Sequence, residues 1–408
     1  MKESYTAYVE GAISLTRHVC QTWTSRLTGS QDCLESADFI EVEMAKCSDR
    51  VESQKFEVHP GAFLGYIRIL VALYPISLFA LWKGYYLLLM LLGLFSVILV
   101  VAEFFIYKEF VDPFFPKKMG KNVMGILEPE EEVKQQIIIS GHHDSAHIFN
   151  FFVHQPKLYA LRVLGSMSGT FLLAIFGVLF FLWDFMGEIP EGMILTAKIL
   201  FGLLAIFVIQ MWFFYSSKGT PGAGDNMASS ATAMEAGRFF KDQRSGGKGL
   251  KHTRLILASW DSEEAGLRGA RAYVREHKEI LQAIPSYNFN IECLYDSNQL
   301  FYLTTDINGF VQLSSEMAQE CKDVSTELGY VTDLKPIVFA AGGTDAAEFA
   351  KEGIEATTIF GMGWTPETKS DAYHTLKDTI EAVDPKAIEA TLDIIAHYVR
   401  KKDEEVSS

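Results

Sequence analysis

The chain has 408 residues and a formal net charge of -15, because 51 acidic residues outnumber 36 basic ones. This balance disfavours nucleic acid as a partner, since phosphate binding needs a basic stripe on the surface. A hydrophobic fraction of 49% with only 21% charged residues is high for a soluble protein. The length allows two or three ordinary domains, or one large domain that carries insertions.

The five cysteines are an odd number, and none of them has Cys-x-x-Cys spacing. This pattern favours free thiols in a reducing compartment over a disulfide framework or a thiolate zinc site. The polar first residues, MKESYTAYVEG, predict that no cleavable signal peptide is present.

Residues 1–62 predict the first part of a soluble domain. Apolar residues at helical spacing indicate helices over 8–24 and 33–46, and the alternation in 51–58 indicates a strand.

Residues 63–107 predict a first transmembrane hairpin. The stretches 69–82 and 85–102 contain no charged residue and are separated only by Lys83 and Gly84. With the flanking residues, each stretch approaches the roughly 20 residues that span a bilayer. A buried hairpin of a soluble protein is the alternative.

Residues 159–217 predict a second transmembrane hairpin by the same argument. The apolar stretches 163–183 and 199–217 are joined by the polar connector DFMGEIPEG. Because each hairpin contains an even number of spans, the three soluble segments are expected on one side of the membrane. The hairpins are then insertions into a single domain.

Residues 108–158 and 218–408 return to soluble composition and predict the second and third parts of that domain. In the first of these, two strands are predicted on either side of the acidic turn 128–132. In the second, predicted strands alternate with predicted helices. The strands are 254–259, 289–294 and 354–360, and the helices are 228–240, 270–277, 308–328, 346–351 and 385–400. This alternation predicts an α/β fold with a mostly parallel sheet.

The distribution of positive charge predicts that the soluble domain lies on the cytoplasmic side, because short cytoplasmic flanks are enriched in Lys and Arg. The opposite side offers Lys83 and Lys198. The flanks on the domain side carry Arg68, Lys108, Lys117, Lys118, Lys121, Lys157, Arg162 and Lys218.

The stretch LILASWDSEEAGLRG, residues 255–269, contains the adjacent carboxylates Glu263 and Glu264 after an apolar run typical of a buried strand. Adjacent side chains in an extended segment point in different directions. Two neighbouring glutamates can therefore do two jobs, one binding a metal and the other holding a proton. A solvated acidic loop is the alternative unless further ligands exist elsewhere.

Four other stretches offer such ligands. In GHHDS, His142 and Asp144 fall on the same face of an extended chain, which suits a histidine ligand and the carboxylate that orients it. In GAGDN, Asp225 lies in a loop of small residues, where its two oxygens could bridge two cations. The remaining candidates are Glu292 in NIE and His374 in YHT.

Taken in order, the phrases GHHDS, GAGDN, SWDSEEAGLRG, NIE and YHTLKDT resemble the co-catalytic dizinc peptidases of metallopeptidase family 28. That family includes bacterial aminopeptidases and glutamate carboxypeptidases, with glutaminyl cyclases as relatives. RLTGS, NVMG and GGTDAAEF agree more weakly, so the resemblance runs from about residue 5 to residue 400 and skips the two hairpins. It implies a three-layer α/β sandwich of the zinc aminopeptidase type, with a mixed, mostly parallel central sheet.

The resemblance also implies a role for each residue. Glu263 would be the general base for a water activated by two metal ions, and Asp144 would orient His142. The peptide bond between Asp225 and Asn226 would be cis. The implied ligands of two Zn2+ ions per chain, for which Co2+ or Mn2+ are alternatives, are His142 and Glu292 on one ion, Glu264 and His374 on the other, and Asp225 bridging both.

Two departures from the family pattern bear on metal binding and on substrate specificity, respectively. Glu292 stands where the family more often has Asp, and Ala346 in the phrase Thr344-Asp345-Ala346 stands where a histidine is often present. Tyr373, directly before His374 as in glutamate carboxypeptidases, could donate a hydrogen bond to the reacting group or only pack. His143 alternates away from His142 and is not expected to contact the metal ions.

The expected activity is removal of an N-terminal residue from a peptide. Carboxypeptidase action stays open, because SWDSEEAGLRG resembles that branch too. Glutaminyl cyclases keep one zinc and lack the first histidine, which is present here as His142. A non-catalytic, receptor-like relative would have lost ligands or the base. The expected partners are a peptide and the lipid bilayer, and the oligomeric state is left open.

Overall fold

The computed structural model describes residues 4–365 and 368–407. The first three residues of the predicted segment 1–62, and residues 366, 367 and 408 of the segment 218–408, lie outside these ranges. The chain forms two compact units. An α/β unit comprises Met1–Pro60, Lys117–Ile148 and Lys218–Ser408, and a helical unit comprises Gly61–Pro116 and Phe149–Ser217. The division of the chain into a peptidase domain and two membrane hairpins stays a prediction.

Strands and helices alternate along most of the α/β unit, whereas the helical unit contains the long apolar helices. The strands are β1 (Arg50–Val58), β2 (Lys118–Leu127), β3 (Gln135–His142), β4 (His147–Phe149), β5 (Tyr215–Gly219), β6 (Thr253–Trp260), β7 (Ser286–Glu292), β8 (Leu300–Asp306), β9 (Val311–Gln312), β10 (Asp333–Pro336) and β11 (Glu355–Gly361). The helices are α1 (Thr6–Thr22), α2 (Gln31–Cys47), α3 (Ala62–Lys83), α4 (Tyr86–Val100), α5 (Asn150–His154), α6 (Tyr159–Met186), α7 (Glu191–Gln210), α8 (Ala228–Ser245), α9 (Arg268–Ala283), α10 (Ser315–Glu327), α11 (Ala346–Lys351) and α12 (Pro385–Ser407).

The main sheet has the strand order β1-β2-β6-β3-β7-β11-β8-β10, with β9 paired to β8, while β4 and β5 form a separate two-stranded sheet. Its central strands β6, β3, β7 and β11 are parallel. Antiparallel pairs join β1 to β2, β2 to β6 and β11 to β8. The predicted α/β class with a mixed, mostly parallel central sheet is confirmed.

Both faces of this sheet are covered, which makes the unit a three-layer sandwich. In β6, Leu255 and Leu257 belong to one buried cluster, which includes residues of α1, α2, α8, α10 and α12. Ile256 and Trp260 belong to a second cluster with residues of α9 and α11. A strand buried on both faces is apolar at successive positions, which explains the continuous run that begins at residue 255.

Several predicted boundaries are wrong. The helix predicted over 308–328 begins at Ser315, because Ser314 caps it by accepting the N–H of Met317 at 3.2 Å. The residues before that cap form β9, which pairs with β8. Neither β8 nor β10 was predicted. The apolar helix predicted over 199–217 is α7, which begins eight residues earlier, directly after Pro190, and gives way to the extended strand β5.

The helical unit packs four long helices around an apolar core of its own. Gly93 of α4 lies so close to α6 that a Cβ atom added there would come within 2.6 Å of the Cα of Ala174. Small residues at such a crossing are typical of membrane helices. Within the described residues, four helices are long and apolar enough to cross a membrane: Ala62–Lys83, Tyr86–Phe105, Pro156–Met186 and Glu191–Phe213.

Candidate active site

The carboxyl ends of three neighbouring parallel strands bring four of the predicted site residues to one edge of the sheet. His142 is the last residue of β3, and Glu292 is the last residue of β7. Glu263 and Glu264 follow the end of β6. Because β3 pairs in parallel with both β6 and β7, these three ends lie side by side. This edge is where open α/β sheets bind their ligands.

Asp225 lies between the two histidines of the site. Its Oδ1 is 3.4 Å from Nε2 of His142, and its Oδ2 is 3.1 Å from Nε2 of His374. One carboxylate thus presents a different oxygen to each imidazole, which is the arrangement a bridging ligand requires. The peptide bond between Asp225 and Asn226 is cis, as the family resemblance implied.

Further carboxylates surround the same two imidazoles. Nε2 of His142 is 3.6 Å from Oε2 of Glu263 and 3.7 Å from Oε2 of Glu292. Nε2 of His374 is 3.5 Å from Oε1 of Glu264. The structure therefore brings together all five residues predicted as metal ligands, and Glu263 with them.

The donor atoms fit a metal ion. Two ligand atoms of a tetrahedral zinc ion lie roughly 3.4 Å apart, given metal–ligand bonds of about 2.0–2.2 Å. The imidazole–carboxylate distances above are close to that separation. Nε2 of His142 is buried and has no hydrogen-bond partner in the part of the chain that the structure describes. Atoms of His142, Glu263 and Glu292 lie within 4.8 Å of one another, as do atoms of His142, Asp225 and Glu264.

The buried carboxyl groups of the site also need cations to balance their negative charge when they are ionised. Burial raises the pKa of Glu263 and Glu264 well above the ordinary value, and it raises the pKa of Glu292 to about 8. Burial alone would lower the pKa of His142, but Glu263 and the other carboxylates raise it well above its usual value. Because the carboxyl groups outnumber the imidazoles, they can all be ionised together only if cations compensate their charge.

Asp144 holds three parts of the site at once. Nδ1 of His142 lies 3.2 Å from its Oδ1, the contact that the sequence predicted. Its Oδ1 also accepts the backbone N–H of Glu263, and its Oδ2 accepts that of Glu264, both at 3.1 Å. The hydroxyl of Thr28 donates to Oδ2 at 3.0 Å. Asp144 therefore positions the adjacent glutamates as well as the imidazole, and the sequence did not predict that second function.

Two asparagines that the sequence analysis missed hold Glu292. Nδ2 of Asn226 donates to its Oε2 at 2.7 Å, and Nδ2 of Asn290 donates to its Oε1 at 3.1 Å. Asn290 stands two residues before Glu292 on the same face of β7, so strand periodicity could have found it. No local pattern pointed to Asn226. The longer side chain of Glu292 is thus held at both oxygens.

A buried arginine in the RLTGS phrase joins two of the loops that carry the site. Arg26 is fully buried, and its Nε donates to the carbonyl of His143 at 2.6 Å. Its two terminal nitrogens donate to the carbonyls of Pro221 and Gly222 at 2.8 and 2.9 Å. The guanidinium therefore fixes the backbone beside His142 to the loop that leads to Asp225.

Two more predicted features lie near the site. Asp345 is fully buried, and its carboxylate oxygens have no hydrogen-bond partner among the described residues. Burial and the neighbouring Glu292 raise its pKa well above the ordinary value. The rings of Tyr373 and His374 pack with their centroids 4.1 Å apart, and Nζ of Lys369 lies 4.5 Å from the Tyr373 ring.

Comparisons of sequence agree with this site. The sequence profile of Peptidase family M28 matches residues 211–399, a segment that contains Asp225, Glu263, Glu264, Glu292 and His374. A probable glutamate carboxypeptidase from Arabidopsis thaliana is 26% identical over 169 residues, which is 39% of this chain. The matched part spans only 24% of that plant protein.

Comparisons of structure cover nearly the whole chain. A zinc aminopeptidase from Bacillus subtilis superposes with a TM-score of 0.57 at 14% identity, covering 97% of this chain and 95% of that one. A Zn-dependent exopeptidase from Parabacteroides distasonis gives a TM-score of 0.57 at 10% identity, covering 96% and 97%. A glutaminyl cyclase from an Acidobacteriales bacterium gives 0.55 at 13% identity, covering 97% and 95%.

The fold is therefore the one shared by zinc-dependent exopeptidases and glutaminyl cyclases. Within the proteins that share this fold, both the matching profile and the residues at the sheet edge point to the metallopeptidases. Residues 211–399 are similar to Peptidase family M28, a family of metallopeptidases.

Proposed function

We propose that this protein is a zinc-dependent exopeptidase that removes the N-terminal residue of peptides. The observation that carries the proposal is the position of Asp225, with one carboxylate oxygen facing His142 and the other facing His374. Two imidazoles that share one carboxylate support a site for two metal ions.

The proposed ligands divide between the two ions as the family resemblance implies: His142 and Glu292 on one ion, Glu264 and His374 on the other, and Asp225 on both. Zinc held there supplies Lewis acidity, which polarises a scissile carbonyl and makes water more acidic. The buried strand ends keep the donor atoms in place, together with the hydrogen bond that Asp144 accepts and those that Asn226 and Asn290 donate. Such partners typically raise the affinity of a metal site by about tenfold to a hundredfold.

Glu263 is proposed as the general base. Its Oε2 accepts a proton from the attacking water and later delivers that proton to the leaving amine. Burial raises the pKa of this carboxyl group, which suits a group that must take up and release a proton. Distances alone do not separate the two glutamates, since Glu263 also lies within 4.8 Å of His142 and Glu292. The proposed assignment rests on the family resemblance, and mutation tests it.

A carboxypeptidase is the second candidate, and two observations favour it. The similar plant protein is described as a probable glutamate carboxypeptidase. Nζ of Lys369 lies 4.5 Å from the ring of Tyr373, directly before His374 in the chain, where its protonated form could bind a substrate carboxylate. Against a cyclase with one metal ion stands the presence of both imidazoles, and against an inactive relative stands the complete set of ligand types and Glu263.

We also propose that the helical unit crosses the membrane, with the α/β unit on the cytoplasmic side. Four helices have the length and composition that spanning requires. The excess of Lys and Arg near the ends that adjoin the α/β unit supports the orientation.

The activity is best tested on detergent-purified protein supplied with Zn2+, using mass spectrometry to separate the candidate reactions. One peptide has a free N-terminus, a second is the same peptide N-acetylated, a third ends in glutamate and a fourth begins with glutamine. We expect the free peptide to lose its N-terminal residue while the acetylated peptide stays intact. Loss of the C-terminal glutamate would support the carboxypeptidase, and loss of ammonia from the fourth peptide would support a cyclase.

Two variants complete this experiment. Glu263→Gln protein prepared in the same way controls for contaminating peptidases and should be inactive in every reaction. Lys369→Met separates the two exopeptidases. An aminopeptidase should keep its KM, whereas a carboxypeptidase should show a raised KM for the glutamate-ending peptide.

A further inference from the structure

A second group of metal-binding side chains lies beside the candidate active site and takes no part in it. Sγ of Cys33, a ring nitrogen of His143 and a carboxylate oxygen of Asp261 all lie within 4.8 Å of one another. All three side chains are fully buried. Sγ of Cys33 is 3.4 Å from Oδ1 of Asp261.

The hydrogen bonds of His143 determine which of its nitrogens is available. The hydroxyl of Ser259 donates to Oγ of Ser230 at 2.8 Å, so its proton is not directed at the imidazole. Nδ1 of His143, 2.9 Å from Oγ of Ser259, must then carry the proton and donate it. Nε2 is therefore the nitrogen with the lone pair, and it is buried without a hydrogen-bond partner in residues 4–365 and 368–407.

A histidine whose Nδ1 donates to a neighbouring oxygen, and which keeps a buried Nε2 lone pair, has the arrangement of a metal ligand. The thiol sulfur of Cys33 and a carboxylate oxygen of Asp261 lie within 4.8 Å of a nitrogen of this imidazole.

We propose that Cys33, His143 and Asp261 form a buried binding site for a borderline-soft divalent cation, with Zn2+ as the best match. Thiolate and imidazole ligands favour Zn2+ over the hard cations Mg2+ and Ca2+, which prefer oxygen. The three protein ligands supply one sulfur, one nitrogen and one oxygen.

The three ligands come from rigid parts of the α/β unit. Cys33 lies in the first turn of α2, where its N–H donates to Oγ of the capping residue Ser30 at 3.2 Å. His143 directly follows β3, and Asp261 directly follows β6. Oδ2 of Asp261 accepts the backbone N–H of Lys121 at 2.9 Å, which orients the carboxylate.

Coordination would convert the Cys33 thiol, which lies 3.4 Å from Oδ1 of Asp261, to a thiolate, and the proton would leave to solvent. The bound cation would join the start of α2 to the ends of β3 and β6. His143 is next to His142 and Asp261 is two residues before Glu263, so the cation would stabilise the backbone that carries both.

The test is to load the detergent-purified full chain with Co2+ after removal of its native metal, and to record both the cobalt content and the absorption spectrum. Sulfur bound to Co2+ gives an intense charge-transfer band, which nitrogen and oxygen ligands do not give. We expect this band in the wild type, and we expect Cys33→Ala to lose the band together with one cobalt ion per chain. The matched control is Cys47→Ala, a buried cysteine of the same helix, which should keep both.

Cys293 is the rival source of a sulfur ligand, because its sulfur lies within 4.8 Å of atoms of Asp225 and Glu292. Cys293→Ala should keep the band. The proposal is overturned if the wild type shows no band, if Cys33→Ala keeps it, or if Cys293→Ala loses it. If Cys33→Ala does not fold, Asp261→Asn takes its place. The absence of the charge-transfer band from the wild-type spectrum would still overturn the proposal. None of these readouts needs peptidase activity, so failure of the proposed function would leave the result intact.

Discussion

The carboxylate of Asp378 accepts the backbone N–H of Asp225 at 3.2 Å, and its other oxygen accepts the N–H of Gly224 at 2.8 Å. The carbonyl of Asp378 accepts a third N–H from the same loop, that of Ala223, at 3.1 Å. Asp378 lies four residues after His374. A single short segment therefore carries one imidazole of the site and holds the loop that presents the shared carboxylate.

Removing the Asp378 carboxylate should loosen the metal site. We expect Asp378→Ala to lower metal affinity by about tenfold to a hundredfold, because loss of such a support typically costs that much. Asp378→Asn, which keeps one oxygen able to accept the N–H of Gly224, should lose less. Titration against a competing chelator measures both affinities. Unchanged affinity in Asp378→Ala would show that the loop does not need this support.

Substitution of the proposed base should separate turnover from metal binding. We expect Glu263→Gln to lower kcat by about 10²–10⁴-fold while the zinc content stays near that of the wild type. The matched control is Glu264→Gln, which should lose zinc because Glu264 is the proposed ligand. Zinc loss in Glu263→Gln with zinc retained in Glu264→Gln would mean that the two roles are exchanged.

Metal counting should reveal the bridging ligand. Asp225→Ala should lose both zinc ions, because its carboxylate faces both imidazoles. His374→Ala should lose mainly one, since Glu264 and Asp225 remain for the other contacts. Zinc per chain is measured by elemental analysis after dialysis. All the proteins compared also carry Cys33→Ala, so that the second proposed site does not contribute zinc. One zinc ion per chain in the protein that carries Cys33→Ala alone would contradict the dinuclear site.

The glycine before His142 should be intolerant of a side chain. A Cβ atom at Gly141 would lie 2.7 Å from the backbone nitrogen of Ser230 in α8. Gly141→Ala should therefore lower the free energy of unfolding by about 1–3 kcal/mol, as overpacking does. Gly246→Ala is the control, since its nearest atom would be 3.5 Å away. The midpoints of thermal unfolding in detergent compare the two, and equal midpoints would contradict the packing argument.

The orientation of the α/β unit can be tested with cysteines introduced at Glu188 and Ser407, both of which are exposed. The five native cysteines are buried and should react little. In cells with a permeabilised plasma membrane, an impermeant thiol reagent should label Ser407→Cys. Ser407→Cys should stay unlabelled in intact cells. Labelling of Ser407→Cys but not Glu188→Cys in intact cells would reverse the proposed topology.

The α/β class and the residues gathered at the site were accessible from the sequence alone. The continuous apolar run that begins at residue 255 predicts a strand buried on both faces, and such strands belong to sheets covered on both sides. His142, Glu264 and Glu292 each follow or end such a strand. The family resemblance grouped these residues as one site, and the structure shows why they meet: parallel strands point their carboxyl ends to one edge of the sheet.

The boundaries of some helices and strands, and the roles of several residues that support the site, could not be predicted from the sequence. Residues 308–314 form a turn and the short strand β9 before α10 begins. β9 pairs with β8, and no local sequence pattern reveals that contact. The roles of Asn226 and Asp378 depend in the same way on loops that approach each other only in the folded chain. Local periodicity indicates which side chains of one segment are buried. The element boundaries and the supporting contacts depend instead on pairing between segments that are distant in the chain.

The cysteines are an example of what the sequence alone could not predict. Their number and spacing argued against a thiolate metal site, and that argument considered only neighbours along the chain. In the folded protein, Cys33, His143 and Asp261 lie together, although more than a hundred residues separate each from the next. The sequence by itself determined the central strands β6, β7 and β11, the apolar helices and the motif residues, because each has a local periodicity or a local pattern. Only the tertiary structure decided which donor atoms converge, because the parallel pairing of β3 with β6 places the residues that follow them side by side.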